Sequence, residues 1–126
     1  MLTTEDTETT EEFENNSLTD AAIGCAIAVH RELGPGLLES AYEKCLAFEL
    51  AKAGIPFAAQ IEIPISYKGQ TIESGYRADL VVDGKVLVEL KSVEQIQPVH
   101  IAQVLTYLKL ANLGTALLIN FNVQLL

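Results

Sequence analysis

The run KVLVELK, residues 85–91, limits the fold more than any other stretch of this chain. Val and Leu follow one another without alternation until Glu89, which is the pattern of a strand buried on both faces. A sheet with one wet side is therefore excluded, and helices must cover both surfaces. The preceding DLVV runs into the same strand through Asp83-Gly84, a hairpin turn pair. Side chains two apart in a strand point the same way, so Glu89 and Lys91 share a face and Leu90 points to the other. A buried carboxylate without a partner is expensive. Either the strand ends in water there, as a simple salt bridge, or a site is built at that end.

The flanking segments supply the covering helices. LTDAAIGCAIAVHRELGPG reads as a helix capped by Ser17 or Thr19, with Ile23, Ile27 and Leu33 at helical spacing and a stop at Gly34-Pro35-Gly36. LLESAYEKCLAFELAKAG is a second, with Leu38, Leu46 and Leu50 apolar and its end at Gly54. Ile61, Ile63 and Ile65 then alternate with polar residues around Pro64, the pattern of a half-exposed strand near a sheet edge. Lys68-Gly69 marks another turn. PVHIAQVLTYLKLANLG opens with a proline suited to a first helical turn, and TALLIN is a closing buried strand. The order is helix, helix, three-strand meander, helix, strand. A last strand reached through a crossover helix lies parallel to its neighbour, so the fold class is a mixed α/β sheet with helices on both faces.

Charge divides the chain. The net charge is −9, and residues 1–20 carry seven acids and no base, leaving ten acids against eight bases in the rest. The predicted organisation is a disordered acidic tail over residues 1–17 and one domain over 18–126. The start has no apolar run of the signal-peptide kind. Leu110 to Leu126 lacks charge but contains Asn, Gln, Gly and Thr, a poor membrane span. Cys25 and Cys45 lie in helical patterns without metal or redox spacing and read as reduced core residues of a cytoplasmic protein.

Several polar positions converge on the apolar frame. Asp79 enters a Val-rich strand after Arg77-Ala78. Gln103 and Tyr107 sit four apart on one helical face, and Glu39 and Tyr42 sit three apart on another helix. Two carboxylates on adjacent strands suit a hard divalent cation, with Lys91 beside them to orient a water or steady negative charge. Register tests the idea. A two-residue Asp83-Gly84 turn would place Asp79 across from Val88, whereas one extra loop residue, or a bend at Asp79, brings Asp79 to Glu89.

The spacing Asp79-x9-Glu89-Leu90-Lys91 after an acid-bearing helix, followed by Gln103-x3-Tyr107, resembles the PD-(D/E)XK nuclease superfamily. Gly36-x-x-Glu39-x-x-Tyr42, GYRADLVVDGKVLVELK and PVHIAQVLTYLK together look like its GxxExxY protein family. The resemblance implies a restriction-endonuclease-like core in the order α-α-β-β-β-α-β and a metal-dependent phosphodiesterase acting on DNA or RNA. It implies Mg²⁺ (or Mn²⁺) held by Asp79 and Glu89, with Glu39 in support and the Leu90 carbonyl, open between the pair, as a further ligand. Lys91 would be the catalytic lysine. Gln103 and Tyr107 would organise the site or contact substrate, and Arg77 would contact phosphate. Where the superfamily carries a proline before the Asp, this chain has Ala78. The alternative reading is a nuclease fold kept for binding protein or nucleic acid in a larger assembly, without chemistry. The low basic content favours that alternative, or a nuclease that works as a homo-oligomer or with a protein partner. His30 and His100 read as structural.

Overall fold

The computed structural model describes residues 2–3 and 10–126, with side chains from Asn15 onward. It contains β1 (Leu2–Thr3), α1 (Thr10–Leu33), α2 (Glu39–Lys52), β2 (Phe57–Glu62), β3 (Ile65–Tyr67), β4 (Gln70–Ile72), β5 (Arg77–Val82), β6 (Val86–Lys91), α3 (Pro98–Ala111) and β7 (Thr115–Asn120). Five strands form one sheet in the order β1-β7-β6-β5-β2. β7 pairs parallel to β6, from Val86↔Thr115 to Lys91↔Asn120, as the α3 crossover requires.

Both faces of the sheet are covered. Val86, Val88 and Leu90 of β6 pack with Ala26, Tyr42, Leu46 and Leu50 of α1 and α2. Leu87, on the opposite face, packs with Val104, Tyr107 and Leu108 of α3. Strand alternation along β6 thus divides the two cores, and it assigns Glu89 to the α3 side. In α2 the buried residues are Tyr42, Leu46 and Leu50, one per turn. Leu38, expected on that apolar face, instead precedes the helix and is exposed.

Tyr42 locks the connection between α1 and α2. Its hydroxyl donates to the Gly34 carbonyl (2.6 Å) and accepts from the Leu37 N–H (3.1 Å). Its ring stacks on Phe121 at 4.4 Å between centroids. Gly34 and Gly36 turn the chain there with φ of 67° and 98°, conformations that disfavour any side chain. Tyr42 therefore acts in packing.

Three boundaries differ from the sequence reading. α1 begins at Thr10, so residues 10–17 of the expected tail are helical, and Thr19 lies within the helix instead of capping it. Asn15 donates to the buried Thr115 hydroxyl of β7 (3.2 Å), a tertiary contact that composition does not register. Leu2–Thr3 pairs with β7 as a short edge strand. The disorder expected for residues 1 and 4–9 falls outside the described residues. Finally, Pro64 ends β2 because it has no N–H for a ladder. Ile65 then opens a separate β3–β4 hairpin, and the meander within the main sheet is β2, β5 and β6.

Candidate functional site

The β5–β6 hairpin has a three-residue loop, Asp83 to Lys85, because Val82 pairs with Val86. Asp83 and Gly84 both take left-handed conformations, with φ of 50° and 64°, and Lys85 N–H closes onto Val82 O at 3.0 Å. The extra residue shifts the register so that Asp79 comes level with Glu89, as the bulged form of the loop predicts. Ladder pairing between the strands reaches Leu80↔Val88 and stops there.

Beyond that point side chains replace the ladder. The Asp79 N–H donates to Glu89 Oε1 (3.1 Å), and the Leu90 N–H donates to Asp79 Oδ2 (2.8 Å). Each carboxyl therefore gives one oxygen to the other strand's backbone and keeps one for other work. β5 also swivels at Asp79. Leu80 and Val82 belong to the core under α1 and α2, whereas Ala78 lies in the α3-side core, against strict alternation. On the other flank, the pairing of β2 with β5 skips the level of Gln60 and Asp79, and Gln60 has φ of 53°. Such a conformation is uncommon for a residue with a side chain. It carries the Gln60 amide to Glu43 Oε1 of α2 (2.5 Å), with Asp79 Oδ1 at 3.5 Å.

The electrostatics follow from crowding two acids under cover. Glu89 is 4% exposed. Burial first, and the Asp79 charge second, push its carboxyl up to about 8. Protonated, it also shares a hydrogen bond with the Asp79 side chain, and Lys91 is the weakest of the influences acting on it. The contact that dominates Glu89 is thus the second carboxyl, not a salt bridge to Lys91. Glu43 is raised as well, by burial and by Asp79, against the opposing Gln60 hydrogen bond. The Tyr107 hydroxyl is pushed up by burial and then by Glu89. It accepts from Gln103 Nε2 at 3.0 Å.

The structure therefore joins Asp79, Glu89, Tyr107 and Gln103 at one end of the sheet, with Lys91 on the same face of β6. Glu39 is exposed in the first turn of α2, and no hydrogen bond among the described residues links it to the pair. Glu43, one turn further along the same face, is the α2 acid that reaches Asp79 through Gln60. Leu90 is 1% exposed, so its carbonyl is covered rather than open. Arg77 is exposed at the start of β5, across from Glu62 of the edge strand. Sequence reasoning missed Glu43 and Gln60. The first carried a signal in its Glu39-x3-Glu43 spacing; Gln60 carried none beyond being polar in a strand.

Among the described residues no three Asp, Glu, His or Cys side chains converge into a full metal cage. Two carboxyls that each give only one oxygen to the backbone still fit a hard cation that keeps most of its water, as Mg²⁺ does. The cost of their mutual repulsion is what such a cation removes. A family model described as the PD-(D/E)XK nuclease superfamily matches residues 16–126. No curated protein and no solved structure matches the chain.

Proposed function

Because the chain belongs to the PD-(D/E)XK nuclease superfamily, we propose that it is a hydrolase of phosphodiester bonds in DNA or RNA, using Mg²⁺ or Mn²⁺ held by Asp79 and Glu89. The narrower GxxExxY membership, carried by Gly36, Glu39 and Tyr42, is part of the same proposal. One observation supports it above the others: two acids, one of them 4% exposed, are held against each other by their own backbone hydrogen bonds. A structural role alone does not call for two acids there, since apolar residues would fill the place at lower cost.

The cation would polarise the phosphoryl oxygen and neutralise charge in the transition state. Asp79 and Glu89 would hold it through the oxygens their backbone bonds leave free. Lys91, half-buried on the Glu89 face of β6, would orient the attacking water and steady the developing negative charge. Tyr107 and Gln103 form a hydrogen-bonded wall beside Glu89 that positions the scissile phosphate. Glu43, through Gln60, limits the freedom of Asp79; Glu39 remains a candidate water-mediated ligand, and Arg77 a candidate phosphate contact.

The test is titration calorimetry of Mg²⁺ and Mn²⁺ on the wild type and on Glu89→Gln, paired with incubation with single- and double-stranded DNA and RNA. Metal heat and cleavage in the wild type, both absent in the variant, are the expected result. A wild type that binds metal without cutting any of the four substrates would overturn the catalytic reading and leave a binding module.

A further inference from the structure

Tyr76 is the aromatic residue the catalytic reading leaves without a task. It lies just before β5 and is 43% exposed. Its main chain is fixed on both sides: its N–H donates to Ser74 Oγ (3.0 Å), its carbonyl accepts from Ile63 N–H (2.9 Å), and the Ser74 hydroxyl bonds the Ile63 carbonyl. Its ring rests against Tyr107 at 5.5 Å between centroids, inclined by 40°. An exposed aromatic on an anchored backbone loses little freedom when something flat packs on it.

In front of it lies a cavity of about 300 Å³ bounded by Tyr76, His100, Gln103, Thr106 and Tyr107. Its polar groups have assigned directions. His100 Nδ1 accepts the Gln97 N–H (2.9 Å), so a neutral ring offers Nε2–H as a donor. Gln103 gives its amide N–H to Tyr107, which leaves its oxygen as an acceptor. A donor, an acceptor and an aromatic face suit the edge and the plane of a nucleobase. Tyr107 is shared between this cavity and the carboxyl pair, so a nucleotide with its phosphate at Asp79 and Glu89 would bring an adjoining base here.

Charge points the same way. The chain has eight Lys and Arg against seventeen Asp and Glu, so neutralising phosphates can supply only part of its affinity. Stacking supplies affinity without cations. A base within a duplex has no free face to offer. We propose that Tyr76 and this cavity bind an unpaired nucleobase beside the bond to be cut, and that the substrate is single-stranded nucleic acid. The inference rests on the nuclease reading given above and narrows its substrate.

The experiment uses fluorescence anisotropy of the full chain with short phosphorothioate oligonucleotides in Mg²⁺, single-stranded or as a blunt duplex, some carrying 2-aminopurine. Wild type, Tyr76→Ala and Tyr76→Phe are compared. The wild type should prefer the single strand and quench 2-aminopurine. Tyr76→Ala should weaken single-strand binding roughly 5- to 150-fold, the range for loss of one stacked base, remove the quench, and leave duplex binding unchanged. Tyr76→Phe should match the wild type. Equal effects of Tyr76→Ala on both substrates, or none, overturn the subsite. If wild-type cleavage still depends on Glu89 in that case, the nuclease reading stands without it. A wild type that binds neither form overturns both.

Discussion

Glu89→Gln in metal-free protein isolates the strain that the site stores. In the unfolded chain Glu89 releases its proton near 4.5, whereas in the folded protein it keeps that proton up to about 8. Between those values the folded state holds more protons than the unfolded one, so stability is full below the lower value and is lost as pH rises through the upper one. The whole interval corresponds to at most about 5 kcal/mol. Because Asp79 shares the proton, we expect about 2–4 kcal/mol of loss between pH 5 and 8.5. The amide introduced by Glu89→Gln would still accept the Asp79 N–H and would offer an N–H to the Asp79 carboxylate, without a charge to bury. The variant should match the wild type at pH 5 and exceed it at pH 8.5 by that amount. Urea unfolding in EDTA at several pH values, read as midpoint and slope, measures the difference. Mg²⁺ at about a thousand times Kd should reverse the order at pH 8.5, because only the wild type gains binding energy, about 4.1 kcal/mol. Parallel pH curves for the two proteins would refute the reasoning: Glu89 would then be ionised in the fold at no cost.

Substitutions at three positions separate structure from chemistry. Asp79→Asn keeps an acceptor for the Leu90 N–H, whereas Asp79→Ala leaves that N–H buried without one, so Ala should be less stable than Asn by about 1–3 kcal/mol in urea unfolding while both lose cleavage. Lys91→Ala should lower kcat about 10²- to 10³-fold and leave the calorimetric Mg²⁺ titration in place, since Lys91 acts on Glu89 only weakly. Tyr42→Phe removes the hydroxyl that serves both Gly34 and Leu37, and should cost about 1–3 kcal/mol with kcat unchanged at temperatures where the variant is folded.

Much of this architecture was legible because it follows from local rules. Unbroken Val and Leu in β6 demanded cover on both faces, and the structure provides α1 and α2 on one and α3 on the other. Asp83-Gly84 marked the turn, and the need to align Asp79 with Glu89 selected the three-residue loop that forms. What escaped depends on relations no local rule contains. Whether Glu39 or Glu43 approaches Asp79 is decided by where α2 sits along its own axis against the sheet, because the two share a helical face. Gln60 matters only because β2 takes a left-handed step beside the swivel in β5, and a lone polar residue in a strand does not announce that. Acid-rich composition argued for disorder up to residue 17, while the Asn15 to Thr115 contact engages that same stretch.

These misses and successes meet at one point, the level of Asp79 and Glu89 where the sheet ladder opens. A ladder continued through that level would place two backbone N–H groups against backbone carbonyls and leave the acids, buried Glu89 and half-buried Asp79, as surplus charge. Opening it turns each carboxyl into the acceptor that the opposite strand lacks, so the acids complete the sheet as well as the site. The remaining oxygens are thereby fixed by backbone, which holds position more firmly than side-chain rotamers alone. The same economy explains why Glu89 tolerates its position at all: its hydrogen bond to Asp79 N–H offsets part of what burial and the neighbouring charge impose. Removing either carboxyl therefore acts on folding and on binding together, and only isosteres that keep the acceptor can tell the two apart.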